Sequence, residues 1–236
     1  MNDRQLPRGL EPHPLHPTAA GVAAGLLLWL LGCLSLSAAA SDTEPPLSAR
    51  TPLIDAAARA EIDGYARLDQ VMTRAADIPE VFDPGVYAAG TTPADLRSQL
   101  LRHILWLQGQ ASAHLAMIES LPFRFAEVTT REPYRQAFIE HYRASGPERY
   151  RMVQSIYQEE ISVAEHRVAF VDWLAAGGIR PTEAGFTFSS EADAQHYRDV
   201  ISEINRSSGE QDRRIATYYA WEIEQKKALR RFRDQL

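Results

Sequence analysis

Cysteine is almost absent from this sequence of 236 residues, in which Cys33 is the only one. A single thiol excludes an intramolecular disulfide framework, and the residues that follow it can form no cysteine-based metal site. A cysteine-free body also avoids mispaired disulfides in an oxidising compartment. The scarcity of cysteine is therefore compatible with a protein that works outside the cytoplasm.

Linear catalytic motifs are lacking as well. The sequence contains no Gly-x-Ser-x-Gly elbow, no Ser-x-x-Lys, no glycine-rich phosphate loop and no His-Glu-x-x-His. Each of these patterns places a nucleophile, a phosphate or a metal ion at a fixed spacing of side chains. Their absence predicts a chain that is not an enzyme and that needs no cofactor.

An excess of basic residues is also missing, since the formal net charge is −6. Binding of nucleic acid depends on neutralising the backbone phosphates with lysine and arginine. A mildly acidic chain is a poor candidate for that function. We therefore expect no nucleic-acid partner.

The first feature that the sequence does possess is an uncharged apolar run at residues 21–40. We interpret residues 1–40 as a signal peptide or membrane anchor. Residues 41–50 are polar and contain two prolines, which is typical of a tether. The remainder, residues 51–236, is predicted to be a separate domain on the periplasmic side of the cell envelope.

Three interpretations of the apolar run compete. Residues 30–33 (LLGC) resemble a lipobox, in which Cys33 is lipidated and the chain is cleaved in front of it. Alternatively, the three alanines at 38–40 are a small-residue cleavage site that releases a soluble protein. In the third interpretation the run stays uncut and spans a bilayer, which takes about 20 apolar residues.

Apolar residues that recur at three- and four-residue steps predict helices through most of the remaining chain. The predicted helices cover residues 52–76, 92–121, 132–143, 148–175 and 190–236. In the last helix a seven-residue spacing of mainly apolar positions is typical of a bundle seam. The sequence therefore predicts an all-α fold, an antiparallel helical bundle of four to five helices.

Proline and glycine mark the predicted boundaries of these helices. Thr92, Pro93 and Asp95 form a typical helix start, with a hydroxyl cap, proline at the first position and a carboxylate at the third. Helix ends are predicted at Pro122, at Ser145-Gly146-Pro147 and at Gly177-Gly178. Non-helical segments are predicted at residues 77–92, as a loop, and at residues 179–188, as an extended strap.

Several polar residues fall on otherwise apolar helical faces, and we expect them inside the bundle. They are His103, His114, Glu160 and Glu222. The two histidines share one stripe, but eleven residues at 1.5 Å each separate them by about 16 Å, so they cannot bind one ion. No glutamate lies three residues before a histidine, as carboxylate-bridged metal bundles require. We therefore predict no metal site. Arg167 also falls on an apolar face, and a glutamate–arginine pair there marks a site or fixes the register of neighbouring helices.

A cluster of basic residues lies near the C-terminus. Its members are Lys226, Lys227, Arg230, Arg231 and Arg233. Such a cluster favours contact with an anionic surface, such as lipid headgroups or cell-wall polymers. Alternatively, the cations only complement the helix dipole at a helix C-terminus.

Residues 165–205 carry a combination of glycine and aromatic residues. The combination consists of Val171-Asp172-Trp173-Leu174, Gly177-Gly178, Gly185-Phe186-Thr187-Phe188 and Glu191…Tyr197. Together with the lipobox-like segment, it resembles a family of small all-helical proteobacterial envelope lipoproteins of uncharacterised function. The resemblance implies an envelope lipoprotein with a helical body. It implies no activity and no functional residues.

These observations favour a non-enzymatic protein of the cell envelope. In this hypothesis the N-terminal segment, or a lipid on Cys33, tethers a helical bundle that binds a protein or cell-wall partner. An alternative is a periplasmic carrier of a small ligand or metal, which uses the polar residues expected inside the bundle. A third hypothesis is an immunity-type inhibitor.

Overall fold

The computed structural model describes residues 51–76, 78, 80–128, 132–182 and 185–233. The predicted signal segment with Cys33 and the predicted tether lie outside the described residues. None of the described helices contains a stretch that is long and apolar enough to cross a membrane.

The described part of the chain is mostly helical, as the sequence predicts. It contains four long helices, one short helix and one β-hairpin. In chain order the elements are α1 (Thr51–Ala76), α2 (Pro84–Ala88), α3 (Pro93–Ala126), α4 (Glu132–Ala175), β1 (Ile179–Thr182), β2 (Gly185–Phe188) and α5 (Glu191–Arg233). The predicted loop at residues 77–92 therefore includes the short helix α2.

The predicted start of α3 is confirmed. The Thr92 side chain accepts a hydrogen bond from the backbone of Asp95, whose carboxylate accepts one from the backbone of Thr92. These reciprocal bonds satisfy amide groups that a helix leaves free at its first turn. Asp193 is bonded in a similar way to Ser190 at the start of α5, since its backbone nitrogen lies 3.1 Å from the Ser190 hydroxyl.

The prediction that Pro122 ends α3 is wrong, because the helix continues for another turn. A proline inside a helix costs about 3 kcal/mol. The additional turn carries Phe125, which is fully buried and whose ring centroid lies 4.6 Å from that of Tyr142. Burying an aromatic side chain contributes about 1.5–3 kcal/mol, which offsets much of the cost of the proline.

The predicted break at residues 145–147 is also wrong, since α4 is a single helix of 44 residues. Tyr142, Ser145, Arg149 and Val153 are all buried and follow one another on one face of the helix. The Ser145 hydroxyl donates to the carbonyl oxygen of His141, one turn back, at 2.9 Å. Packing along this face therefore outweighs the local preference of glycine and proline.

The expected strap at residues 179–188 is an antiparallel hairpin, with Ile179 paired to Phe188 and Thr182 to Gly185. It follows α4 through Gly177, whose φ of 85° lies in the left-handed region that favours glycine. At Gly178 a Cβ atom would overlap the indole nitrogen of Trp173, so that a side chain there would displace the tryptophan ring. The hairpin thus packs closely against the end of α4.

Helices that are neighbours in the bundle run in opposite directions. The first half of α4 faces the end of α3 through Tyr142 and Phe125, and the end of α4 faces the start of α5 through Phe170 and Tyr197. Helix α1 lies against both α3 and α5, since Tyr65 contacts Tyr219 at a centroid distance of 5.3 Å. The long helices therefore enclose one interior.

The interior consists of three apolar clusters that are separated by two groups of polar side chains. The clusters are centred on Phe125 and Tyr142 at one end, Leu107 and Ile156 in the middle, and Leu96, Phe170 and Ile179 beside the hairpin. The first polar group, named here the histidine layer, consists of His103, Glu160 and Gln211. The second, named here the arginine layer, consists of Arg149 and Glu222 with Glu61 and Lys226 at its edge.

Candidate functional site

Helix α3 directs His103 into the bundle. Leu96, Leu100, His103 and Leu107 recur at three- and four-residue steps and are all buried. A helix places residues at this spacing on one face, and here that face covers the core. His103 thus has the position of a core residue, and only 3% of its surface is exposed.

Neither ring nitrogen of His103 has a hydrogen-bond partner among the described residues. The Nε2 atom lies 3.7 Å from Oε1 of Glu160, which is beyond hydrogen-bond distance. Buried polar groups are nearly always paired, and leaving one unpaired costs about 1–3 kcal/mol. The imidazole is therefore the least satisfied polar group of the histidine layer.

Glu160, on α4, is held in place by a residue of α5. Its Oε2 atom accepts a hydrogen bond of 2.6 Å from Nε2 of Gln211. The same Gln211 nitrogen lies 4.0 Å from the sulfur of Met72 on α1. The histidine layer therefore joins all four long helices, and it leaves Oε1 of Glu160 directed at the imidazole.

A groove opens above His103, between α1 and α3. Its volume is about 690 Å³. The lining residues are Asp69, Gln70, Thr73 and Arg74 from α1, Ile78 from the segment that follows α1, and Gln99, Arg102, His103 and Trp106 from α3. Most of them are polar and exposed, whereas His103 forms a buried part of the lining. The groove thus reaches the unsatisfied histidine, whose two ring nitrogens are themselves buried.

Three side chains of the groove are stacked. The ring of Trp106 lies 5.7 Å from that of His103 at an interplanar angle of 24°. The guanidinium carbon of Arg74 lies 4.6 Å from the centroid of the Trp106 ring. Stacking on an aromatic ring fixes the plane of a guanidinium group and leaves its N–H groups available along the edge. Because Trp106 is covered in this way, its ring is less accessible to a ligand than the polar groups around it.

The arginine layer lies deeper along the bundle and is closely paired. Nε of Arg149 donates to Oε1 of Glu222 at 2.7 Å, and a second nitrogen donates to Oε2 at 3.3 Å. The guanidinium group also lies over the rings of Tyr142 and Trp221, at 4.8 and 5.2 Å. Burial alone would lower the pKa of Arg149, but the hydrogen bonds and the charge of Glu222 outweigh it and raise the pKa. Arg149 therefore remains charged.

A small cavity of about 20 Å³ adjoins the arginine layer, and its lining includes Gly64, His114, Arg149 and Glu222. This volume is enough for about one water molecule. His114 is 1% exposed, and its Nδ1 atom lies 3.4 Å from the Tyr157 hydroxyl. Burial, helped by the charge of Arg67, lowers the pKa of His114 to about 4. This histidine is therefore neutral at neutral pH.

The structure divides the four polar residues that the sequence places inside the bundle. All four are buried: His103 lies 3.7 Å from Glu160, whereas His114 and Glu222 both line the small cavity. Their proposed role as a binding site remains a prediction. Arg167 is paired with neither glutamate of the interior, because its guanidinium group lies 3.8 Å from Glu80 in the loop before α2.

Sequence reasoning missed Arg149, Gln211, Arg74 and Trp106. Arg149 has a detectable signal, since it continues the three- and four-residue spacing from Tyr142 through Ser145 to Val153. The assumed helix break at residues 145–147 concealed that spacing. Arg74 and Trp106 give no such signal, because their stacking depends on how α1 lies against α3.

The basic cluster near the C-terminus is described only in part. The ammonium group of Lys226 lies 2.9 Å from the carboxylate of Glu61, and that of Lys227 lies 2.7 Å from the carboxylate of Glu224. Both lysines therefore have acidic neighbours within the chain. The side chains of Arg230, Arg231 and Arg233 lie outside the described ones, and contact of the cluster with an anionic surface remains a prediction.

Within the described ranges, no group of three or more histidine, aspartate or glutamate residues is arranged to bind a metal ion. No family model, curated protein or solved structure matches this chain. The resemblance to envelope lipoproteins therefore remains a prediction from the sequence. The interpretation of the two layers depends on their geometry alone.

Proposed function

We propose that this chain is a non-catalytic binding protein of the cell envelope, in which an antiparallel helical bundle binds a small ligand in the groove between α1 and α3. One observation carries the proposal. His103 lines this groove of about 690 Å³, and neither of its ring nitrogens has a partner among the described residues. A ligand in the groove can supply the partner that the protein lacks.

The arginine layer supports this choice by contrast. There, both carboxylate oxygens of Glu222 accept hydrogen bonds from Arg149, although Nη1 of Arg149 has no partner among the described residues. A buried charge that is paired inside the core has a structural role, whereas an imidazole that is unpaired at both nitrogens beside an open groove is suited to binding. The histidine layer, and not the arginine layer, is therefore the proposed site.

The proposed role is binding and not catalysis, because the groove does not combine the groups that acyl transfer or hydrolysis needs. Among the described lining residues, Thr73 carries the only hydroxyl group and it is exposed on α1. Nucleophilic catalysis requires such a group within hydrogen-bond distance of a base. No hydrogen bond between Thr73 and a histidine or carboxylate is present among the described residues.

Delivery to the envelope is the second part of the proposal. The apolar run at residues 21–40 and the cysteine that follows Gly32 support an exported chain with a lipid on Cys33. Intact-mass analysis of the mature protein tests this directly. We expect a diacylglyceryl-modified N-terminus at Cys33. A protein that starts at Ser41, or one that retains Met1, would select instead the cleaved or the uncut interpretation.

The ligand-binding role is tested by thermal-shift screening of the full-length chain against small molecules of negative, positive and neutral charge. We expect at least one class to raise the melting temperature. Thr73→Trp fills the groove from the exposed face of α1 and should abolish the shift. Ala66→Trp, at another exposed position of α1, is the matched control and should retain it. Equal responses of the two variants, or no response to any class, would contradict the proposal.

Docking of a protein or cell-wall partner is the second candidate. It is supported by Leu101 and Leu105, which are one turn apart on α3 and are 37% and 67% exposed. Large apolar side chains on an outer face are enriched at interaction surfaces. Crosslinking from Leu105 in the native envelope should recover one consistent partner. Recovery of none across growth conditions would exclude this candidate.

A further inference from the structure

We infer that the ligand of the groove carries an oxyanion, a carboxylate or a phosphate-like group, and that its binding is coupled to the uptake of one proton by His103. This inference rests on the proposed function, because it assigns a chemical class to the ligand of the same groove. It follows from the unsatisfied imidazole, from the carboxylate beside it and from the two arginines among the residues that line the groove.

The environment of the His103 imidazole determines which hydrogen-bonding groups the ligand must provide. A neutral imidazole has one donor and one acceptor nitrogen, whereas the protonated ring has two donors. The group next to Nε2 is the Glu160 carboxylate, at 3.7 Å, which only accepts hydrogen bonds when it is ionised. This carboxylate favours a hydrogen on Nε2, and Nδ1 is then the buried nitrogen that no described residue contacts. An anion at Nδ1 pairs with the protonated ring, in which both nitrogens donate.

The arginines of the groove favour an anion over a neutral or cationic ligand. Arg74 lies on α1 and Arg102 on α3, and both residues line the groove. Arg74 is fixed by its stacking on Trp106. A guanidinium group whose plane is fixed binds carboxylate or phosphate oxygens with two parallel hydrogen bonds at a lower entropic cost. Asp69 offsets one of the two positive charges, which suits a ligand of small charge.

Proton uptake follows from the charges around His103. These charges come from Glu160 on α4, from Asp69 and Arg74 on α1 and from Arg102 on α3, while α5 contributes the uncharged Gln211. In the free protein, the two arginines oppose protonation of the ring and the two carboxylates favour it. A bound oxyanion adds a negative charge and neutralises the arginines, so that the protonated form becomes favoured. By linkage, affinity falls by up to about tenfold for each unit by which the pH rises.

The test uses the full-length chain with ¹⁵N-labelled histidine and records the side-chain nitrogen resonances at about pH 7, where an unperturbed imidazole is mainly neutral. Acetate and sulfate are the anionic probes, acetamide is the neutral counterpart of acetate, and methylammonium is the cationic probe. His103→Gln assigns the signals of His103. We expect acetate and sulfate, but not the other two probes, to move both nitrogens of His103 to the positions of a protonated ring.

A pair of matched variants tests the role of the arginines. Arg102→Ala should weaken binding of acetate and sulfate by about tenfold or more, which corresponds to loss of one charge-assisted hydrogen bond. Arg97→Ala removes an exposed arginine of the same helix that contacts Asp172 at 2.8 Å outside the groove, and it should leave binding unchanged. Equal effects of the two substitutions would overturn the assignment of the oxyanion to the groove.

The outcomes separate this inference from the function on which it rests. Acetamide or methylammonium that binds as tightly as acetate, or an anion that binds while His103 stays neutral, would overturn the inference and leave a binding groove. If no probe and no compound of the thermal-shift screen perturbs the groove, the proposed function fails together with the inference.

Discussion

The two polar layers of the bundle are built from similar parts, but they differ in how far their hydrogen-bonding groups are paired. In each layer α4 contributes a charged side chain, Arg149 or Glu160, and α5 contributes its partner, Glu222 or Gln211. In the arginine layer, Arg149 donates to both carboxylate oxygens of Glu222, and of its three guanidinium nitrogens Nη1 has no partner among the described residues. In the histidine layer, Glu160 is bonded through one oxygen and His103 through neither nitrogen.

The difference shows how one fold separates stability from binding. A buried ion pair holds neighbouring helices in register, but its two charges are engaged with each other. A layer with unsatisfied groups costs stability and retains the capacity to bind. The groove opens beside the histidine layer, whereas the small cavity beside the arginine layer has room for about one water molecule.

The largest expected effect comes from breaking the arginine layer. Glu222→Ala leaves Arg149 buried without its counter-charge, and removal of one partner of a buried ion pair costs about 3–5 kcal/mol. Glu160→Ala removes a carboxylate that is bonded to an uncharged amide, so that we expect a loss of about 1–3 kcal/mol. Denaturant unfolding of both variants at neutral pH measures the two losses. Equal losses would remove the distinction between the layers.

The acid sensitivity of the protein is expected to depend on His114, beside the arginine layer. Its pKa is lowered to about 4 from an ordinary value of 6.5, so that protons bind more tightly to the unfolded chain. The stability that the neutral ring contributes is complete above about pH 6.5 and is lost as the pH falls toward 4. The loss amounts to about 3 kcal/mol.

Unfolding as a function of pH checks the role of His114. In His114→Gln the free energy of unfolding should lose about 3 kcal/mol of its dependence on pH between about 6.5 and 4. The part that comes from His141, whose pKa is also lowered by burial, should remain. A pH profile that is the same with and without His114 would contradict the assignment.

Helix α4 links the two layers, and its continuity is testable at Gly146. A Cβ atom there meets nothing within 4 Å, so that Gly146→Ala should stabilise a continuous helix by about 1 kcal/mol. Gly177→Ala, at a φ of 85°, should instead cost about 1–2 kcal/mol. Thermal unfolding of the two variants distinguishes them. A loss at Gly146 would indicate that the layers do not share one uninterrupted helix.

The smallest expected effect comes from removing the unsatisfied group itself. His103→Leu replaces two unpaired nitrogens with apolar atoms of similar volume, and it should change the free energy of unfolding by less than about 1 kcal/mol. The same substitution should abolish binding in the groove. Denaturant unfolding and the thermal-shift assay measure these two results. A large loss of stability would indicate that His103 has a structural role after all.

Sequence reasoning succeeded where local rules decide the structure. The start of α3 depends on Thr92 and Asp95, which are three residues apart, and the left-handed cap depends on Gly177 alone. It failed at Pro122 and Pro147, because contacts with other helices decide whether a helix continues past a proline. The hairpin was missed as well, since four residues in each strand carry too short a pattern to be distinguished from an extended segment.

The candidate site could be predicted only in part from the sequence, for the same reason. Periodicity alone places His103 and Glu160 on buried faces, but it cannot indicate which of them meet. Their distance of 3.7 Å depends on the register between α3 and α4, and the groove depends on the spacing of α1 from α3. Both are properties of the packed bundle, which no short stretch of sequence determines.

The up-and-down order of the long helices has a consequence for how the chain folds. Each long helix packs against the next long helix along the chain or against another neighbour in the bundle. Most contacts therefore join residues that are close in sequence. Chains of this kind lose little entropy in closing loops, so that their topology favours fast folding for their length. Helices α3 and α4 are separated by only residues 127–131, and we infer that they associate first and provide the surface on which α1 and α5 assemble.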